Sequence, residues 1–540
     1  MTHRAAFRFQ RQSRTPLAAA LLIGLSSVGS AQERARPDSG GTLSGPIIQS
    51  IQLRRSPVFD SAEARFWPFR VVNALHAITK PWVIRRELLF QPGETYDSAR
   101  VNESERNLRA LGIFRDVDID SVSTDSGLVM RVRTIDAWTT TPNLSLSTSG
   151  SQSILGLSLQ EGNLLGTRTV ALLSYESNPD RSSILAAFDT PRAIVNRIGV
   201  GATYLDRSDG HAAAASIRLP FLNLSSRQGA SLYLLTSEGR VLRFVAGRAR
   251  PDLTLHREYS LARADMATAL RAGSRGFLHL GIAGQLRRED VAPDTSLIPI
   301  ARTITGAFGP YVEMRSPRYI QLRNFQSIDR TEDIDLGLRL YAGALAAPRA
   351  WGYARNGVGA VANVGAGHRI PSGFVQLDAG ATVLRTSEHV DSASVGASGT
   401  LVMQPVERLL LVGHAGGGLL QHPRPGGEFD LGLGLGLRAF PTHAFTGDRQ
   451  FLLGGESRWL VWPRLLGLVG VGAAAFVDHA GAWYNGSPRR TGTDAGIGLR
   501  LASIREAGSV WRLDLARRYA SDVEPAGWVI AIGRGFVFQR

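Results

Sequence analysis

Residues 431–441 read LGLGLGLRAFP, leucine alternating with glycine until Arg438 breaks the pattern. A helix, with 3.6 residues per turn, would scatter these leucines around its cylinder. A strand instead sets Leu431, Leu433, Leu435 and Leu437 on one face and Gly432, Gly434 and Gly436 on the other. The stretch therefore reads as a strand, either of a glycine-rich soluble sandwich or of a barrel whose leucines meet lipid. The choice rests on how far the same period extends through the chain.

It extends from about residue 139 to the end. In SILGLSLQ, Leu155, Leu157 and Leu159 oppose Gly156, Ser158 and Gln160. In FLHLGIAGQLRR, Leu278, Leu280, Ile282 and Leu286 oppose His279, Gly281, Gln285 and Arg287. EDIDLGLRL sets Ile334, Leu336, Leu338 and Leu340 against Asp333, Asp335, Gly337 and Arg339, and WRLDLARR sets Trp511, Leu513 and Leu515 against Arg512 and Asp514. Soluble sandwiches alternate too, but here the second face carries charges and glycines along most segments. Apolar-out, polar-in segments of about ten residues mark a transmembrane β-barrel. Counting by period gives about 20 such segments.

Residues 46–138 follow a different rhythm. PIIQSIQL reads as a strand, and KPWVIRRELLF as a short helix with Ile84 and Leu88 one turn apart. QPGETYD is a turn whose Asp97 can cap a second helix, SARVNESERNLRALG. That helix buries Val101, Leu108 and Leu111 and stops at Gly112. FRDVDIDSV and GLVMRVRTIDAW follow as two alternating strands. The order β-α-α-β-β makes a small α+β domain.

Upstream, Arg4, Arg8, Arg11 and Arg14 precede an apolar run from Leu17 to Leu25 and small residues ending at Ala31. This is the order of a secretory signal peptide, residues 1–31, followed by a flexible leader over 32–45. No apolar run after residue 31 is long enough for a membrane helix. The chain has no cysteine, so an exported product has no disulfide framework.

The net charge of +15 does not point to nucleic acid. The arginines are spread through alternating strands, Lys80 is the sole lysine, and no basic helix or tail is present. Arginines lining a pore or facing lipid phosphates fit better. Neither a Gly-x-Ser-x-Gly elbow nor a His-Glu-x-x-His helix occurs. His479 adjoins Asp478, but neighbours on a strand face opposite sides and form no site. The expectation is of a non-enzyme without metal or cofactor.

The stretch VIRRELLFQPGETYDSARVNESERNLRALGIFRDVDI, with VRTIDAW after it, resembles a polypeptide-transport-associated (POTRA) domain. Fused to a barrel, it resembles the outer-membrane assembly and transport family typified by BamA and TamA, the bacterial surface antigens. Barrel motifs carry the likeness further. EGNLLGTRT resembles the family's Asn-x-x-Gly turn between strands two and three, through Asn163 and Gly166. LRAFP resembles the arginine motif of the inward-folded sixth loop, giving Arg438 and Phe440 their roles, with Ala439 where glycine is usual. GGESRW resembles the Glu-x-Arg of the following strand through Glu456 and Arg458. FVDHAG resembles the Phe-x-Asp-x-Gly after it through Phe476 and Asp478, with Ala480 in the glycine place. Gly533, Phe536 and Phe538 fit the C-terminal barrel signal, with Ala531 replacing the usual polar residue.

The resemblance implies a mainly β chain, with one POTRA domain over 46–138 and a barrel of 16 strands over 139–540, fewer than the period counts. It implies an outer-membrane location with the POTRA domain in the periplasm, and Arg438 locked in the lumen, for which Asp478 is the expected partner. It implies assistance to the insertion of outer-membrane proteins, by capture at the POTRA edge and strand pairing at the barrel seam. That seam is expected near NLSLSTS and GWVIAIGRGFVF, where Gly527, Gly533 and Gly535 weaken the last strand. A dedicated pore for one secreted protein is the alternative. Expected partners are outer-membrane lipid and lipopolysaccharide, unfolded barrel precursors or a secreted client, and accessory lipoproteins.

Overall fold

The computed structural model describes residues 46–540 except 60–64, 66, 125–126, 150–151, 195–197, 222–226, 246, 274–275, 295–300, 327, 329–330, 354, 425, 434–435, 466–468, 504–509 and 535–540. The expected signal peptide and leader, with Phe536 and Phe538, lie outside the described residues.

The N-terminal domain runs β1 (Ile48–Ser56), α1 (Trp67–Leu75), α2 (Pro81–Arg85), α3 (Ser98–Ala110), β2 (Phe114–Thr124) and β3 (Gly127–Asp136). Its sheet has the order β1-β3-β2, with β1 parallel and β2 antiparallel to β3. Ile48, Ile84, Phe90, Val101, Leu108, Val117, Met130 and Val132 form the core between the sheet and the helices. Asp97 accepts from the Arg100 N–H at 3.4 Å, capping α3. Gly112, just beyond it, takes a left-handed φ of 68°. The helix expected over KPWVIRRELLF is shorter, ending at Arg85, and α1 was not expected at all. Trp67 and Val71 of α1 lie exposed.

Twenty strands close into a barrel, four more than the resemblance implies and in line with the period count. Each pairs with its neighbours in chain order. The first, Thr140–Ser149, lies beside the last, Gly527–Arg534. Large apolar side chains are exposed all around the outside, among them Leu144, Leu159, Ile184, Ile217, Ile282, Leu377, Ile497 and Ile530. A belt of this extent is stable only against lipid. Among the described residues no helix is long and apolar enough to cross a membrane, which says nothing of strands.

LGLGLGL does not form a lipid-facing strand: among its described residues only Leu431 lies in a strand, Phe429–Leu431, in a short ladder with Phe445–Gly447. Leu431, Leu433 and Leu437 are 4%, 2% and 1% exposed. Leu431 and Leu437 pack with Phe429, Phe440, Phe445, Ala480 and Ala482 inside the barrel. The glycines serve the fold-back of the chain rather than a thin face. Gly432 has φ 153°, and a Cβ there would stand 2.0 Å from the Pro441 carbonyl oxygen. Likewise EDIDLGLRL is not one strand. It breaks between Thr331–Asp335, half of a separate hairpin, and the barrel strand Leu338–Ala347, leaving Leu336 buried.

Strand direction alternates, so connections after odd-numbered barrel strands lie at the far end and those after even-numbered ones at the N-terminal domain's end. The segment 422–448 follows the fifteenth strand, Leu409–Gln421, and enters from the far end. The hairpin Tyr319–Asp335 follows the tenth, Ala301–Ser316, and enters from the domain's end.

Candidate functional site

Arg438 is carried into the lumen by the 422–448 loop and is 2% exposed. It faces four inward-turned strands, the sixteenth to nineteenth: Arg449–Leu465, Val469–Trp483, Thr491–Ser503 and Val510–Arg518. Because side chains alternate, Glu456 and Arg458, Phe476 and Asp478, Asp494 and Arg500, and Arg512 and Asp514 all point inward. Arg438 lies 2.6 Å from Glu456, 2.9 Å from Asp478 and 3.8 Å from Asp514. Its guanidinium carbon stands 3.8 Å from the centroid of the Phe476 ring. Charge attraction to these carboxylates and stacking on Phe476 hold the group.

The Asp494 carboxylate accepts from the backbone N–H groups of Arg438 and Ala439, each at 2.9 Å. Arg458 bonds Glu456 at 2.8 Å, and Arg500 bonds Asp514 at 2.6 Å and reaches Glu456 at 3.3 Å. Arg512 lies 3.3 Å from Asp514. Four arginines thus meet four carboxylates in a buried, formally neutral cluster. Burying charge is tolerable only with such compensation.

The expected partner Asp478 is in contact with Arg438, as is Glu456, and Arg458 joins them through Glu456. Asp494, Arg500, Arg512 and Asp514 belong to the site without carrying any of the motifs. Their inward parity is visible in the sequence, but which strands bring them together is not. Phe440 is fully buried against Phe445, with ring centroids 5.3 Å apart, and Arg518 lies over it at 5.7 Å. Ala439 needs no glycine freedom, since its φ is not left-handed. Its methyl sits among Phe476, Ala516 and Val529. Asp478 and His479 point to opposite faces, His479 bonding Thr493 at 2.8 Å.

The loop has a second anchor nearer the far end. His443 lies 2.7 Å from Asp430 through Nδ1 and 2.7 Å from Asp180 through Nε2, and Phe244 stacks on its ring at 3.7 Å. Burial opposes a charge here, but the two carboxylate bonds outweigh it and push the His443 pKa up to about 9. Gln152 crosses from the second strand and accepts from both the N–H and the hydroxyl of Thr442, at 2.7 and 2.9 Å.

At the other end the Asn163–Gly166 turn meets the N-terminal domain. Asn163 donates to the Thr79 hydroxyl at 2.8 Å, Thr79 donates to Asp136 at 2.9 Å, and the Lys80 N–H donates to the Gly166 carbonyl at 2.8 Å. Gly166 has φ 71°, and a Cβ there would lie 2.4 Å from the Ile78 oxygen. The motif therefore docks the barrel on the domain. At the seam, the Thr148 hydroxyl accepts from the Ile532 N–H at 3.2 Å and donates to the Ile530 carbonyl at 3.4 Å. A side chain there occupies main-chain bonding groups of the last strand. Gly533 lies in that strand with the Arg512 side chain packed over it, so a Cβ would be 2.5 Å from Nε.

Residues 72–134 match the model of the POTRA family, surface antigen variable number repeat. The outer membrane protein assembly factor BamA of Neorickettsia risticii (strain Illinois) is 28% identical over 186 residues, 34% of this chain. That match spans only 23% of the relative's length. Among solved structures, BamA from Haemophilus ducreyi lacking POTRA domains 1–3 aligns with a TM-score of 0.47 at 11% identity, over 91% of this chain and 84% of that one. CdiB from Escherichia coli aligns with a TM-score of 0.46 at 11% identity, over 98% of each chain. The N-terminal domain thus matches the POTRA family, and the chain is similar in sequence to a BamA over about a third of its length.

Proposed function

We propose that this protein assists the insertion of other outer-membrane proteins, sitting in the outer membrane with its POTRA domain in the periplasm. The observation that carries the reading is the seam. The first and last strands meet there, and the Thr148 hydroxyl takes bonding groups of Ile530 and Ile532. At that position a side chain stands where a main-chain group would otherwise bond, a weak point from which the seam can part. Once parted, it offers unpaired N–H and C=O groups to an incoming strand, which joins by β-augmentation. The POTRA edge strands β1 and β2 offer the same chemistry to an unfolded precursor before it reaches the membrane. No step needs a nucleotide or covalent chemistry. Lipopolysaccharide, outer-membrane lipid and accessory lipoproteins complete the proposed setting.

The test is in-cell photo-crosslinking from a probe at Leu146, on the first strand opposite Leu155. A ladder of barrel precursors is the expected result. A single soluble secreted protein, or products only from lumen-facing probes, would replace this reading with a dedicated translocation pore.

A further inference from the structure

The hairpin between the tenth and eleventh strands has no place in insertion at the seam, yet it is built into the lumen. Its strands Tyr319–Arg323 and Thr331–Asp335 pair from Tyr319↔Asp335 to Arg323↔Thr331, and Asn324 turns with φ 64°. One face of the hairpin and the residues next to it is apolar. Leu322, Leu336, Ile320, Ile334 and Phe325 pack on Phe374, Val402, Leu410 and Val412 of the thirteenth to fifteenth strands. Phe325 meets Phe374 edge-on at 5.5 Å. Barrel interiors are ordinarily polar, so this apolar wall is shaped for a resident occupant. Beyond the turn, Ile328 packs with Leu460, Ala502 and Val510 of the sixteenth, eighteenth and nineteenth strands. Rooted between the tenth and eleventh strands, the hairpin thus reaches over the thirteenth to nineteenth at the POTRA end. Between it and the wall near Arg458 lies a cavity of about 30 Å³, room for about one water.

The hairpin also touches the charge cluster. Arg458 donates to the Phe325 carbonyl at 2.9 Å while bonding Glu456 at 2.8 Å, and Glu456 is 2.6 Å from Arg438 of the far-end loop. Two plugs entering from opposite ends are therefore joined through two side chains. Barrel diameter grows about linearly with strand number, so twenty strands enclose a lumen about a quarter wider than sixteen. The far-end loop holds to strands sixteen to nineteen through Arg438 and to Gln152 and Asp180 through Thr442 and His443, and the hairpin occupies the lumen on the POTRA side of it.

We propose that the Tyr319–Asp335 hairpin is a second, releasable plug that seals the wider lumen from the POTRA end. Its release is coupled to that of the far-end loop through Arg458 and Glu456. With both withdrawn, the lumen passes ions and hydrophilic solutes along walls carrying the Arg339–Asp378 and Arg218–Asp189 pairs.

The chain has no cysteine, so an engineered bridge is unambiguous. A Cβ placed on Gly470 would stand 3.0 Å from the Ile328 Cβ, near bridging distance. Full-length Ile328→Cys/Gly470→Cys protein is reconstituted in planar lipid bilayers, oxidised and then reduced, alongside wild type and Ile328→Asp. Ile328→Asp sets a carboxylate among Ala502, Val510 and Leu460 and is expected to raise the frequency of large openings at least tenfold over wild type. The oxidised pair is expected to lose such openings, and reduction to restore them. Trypsin cleavage after Arg438, possible only with the far-end loop withdrawn, is expected to slow with oxidation and recover in parallel. If folded Ile328→Asp conducts no more than wild type, or if a disulfide verified by mass leaves conductance unchanged, the hairpin is not a plug. Conductance that responds while cleavage does not would overturn the coupling.

Discussion

Two ion pairs in this barrel have the same length and different surroundings. Arg438–Asp478 and Arg339–Asp378 are both 2.9 Å long. The first has side-chain exposures of 1% and 0%, the second 32% and 29%. One wall of the lumen, strands sixteen to nineteen under the loop, is dry. The other, represented by Arg339–Asp378 and Arg218–Asp189, is wet. Distance alone therefore says little about what a charge pair does. On the dry wall a missing partner leaves a charge without water to replace it, so the pairs fix the loop in one place. On the wet wall water screens each partner, and the pairs set the polarity of a passage at little cost in stability.

The largest expected effect tests the dry wall directly. Arg438→Ala leaves four carboxylates against three arginines in the cluster and is expected to lower barrel stability by about 3–5 kcal/mol. Denaturant midpoints, read by the gel-mobility difference between folded and unfolded barrel, measure it. A loss under about 1 kcal/mol would mean that water reaches the cluster and that the two walls do not differ.

Gly166→Ala acts at the domain junction instead of either wall. It forces a left-handed alanine against the Ile78 oxygen, with strain of about 1–3 kcal/mol. Exchange of the Lys80 amide, which donates to Gly166, should quicken about tenfold while the barrel midpoint holds. Unchanged exchange would remove the docking role of this turn.

A smaller effect sits between the walls, at His443. Its folded pKa of about 9 lies above the ordinary 6.5. The stabilisation it gives the loop is therefore complete below about pH 6.5 and lost as pH rises through about 9. Tryptic cleavage in the loop should accelerate severalfold between pH 7 and 10, and His443→Asn should flatten the profile. A profile just as steep in His443→Asn would assign the titration elsewhere.

The smallest effect is the control on the wet side. Arg339→Ala should cost less than about 1 kcal/mol, its consequence appearing in the ion selectivity of the open lumen. A loss as large as that of Arg438→Ala would erase the contrast.

What the sequence determined by itself follows from local periods. Alternation over most of the chain gave the barrel and its lipid face, because a pleated strand turns every second side chain outward whatever its neighbours. The pattern at Leu280, Ile282 and Leu286, or at Leu513 and Leu515, needed no tertiary information. The Arg438, Glu456, Arg458 and Asp478 positions were legible through motif resemblance. Local period failed where an alternating stretch left the wall. LGLGLGL and EDIDLGLRL both carry the barrel pattern, yet their leucines Leu433 and Leu336 are buried inside. An apolar side chain excluded from water is equally well placed against lipid or against another apolar surface in the lumen. Only the closed ladder, by fixing which segments form the wall, decided between them. The same closure brought Asp494, Arg500, Arg512 and Asp514 around one arginine, an arrangement set by register between strands and absent from any one of them.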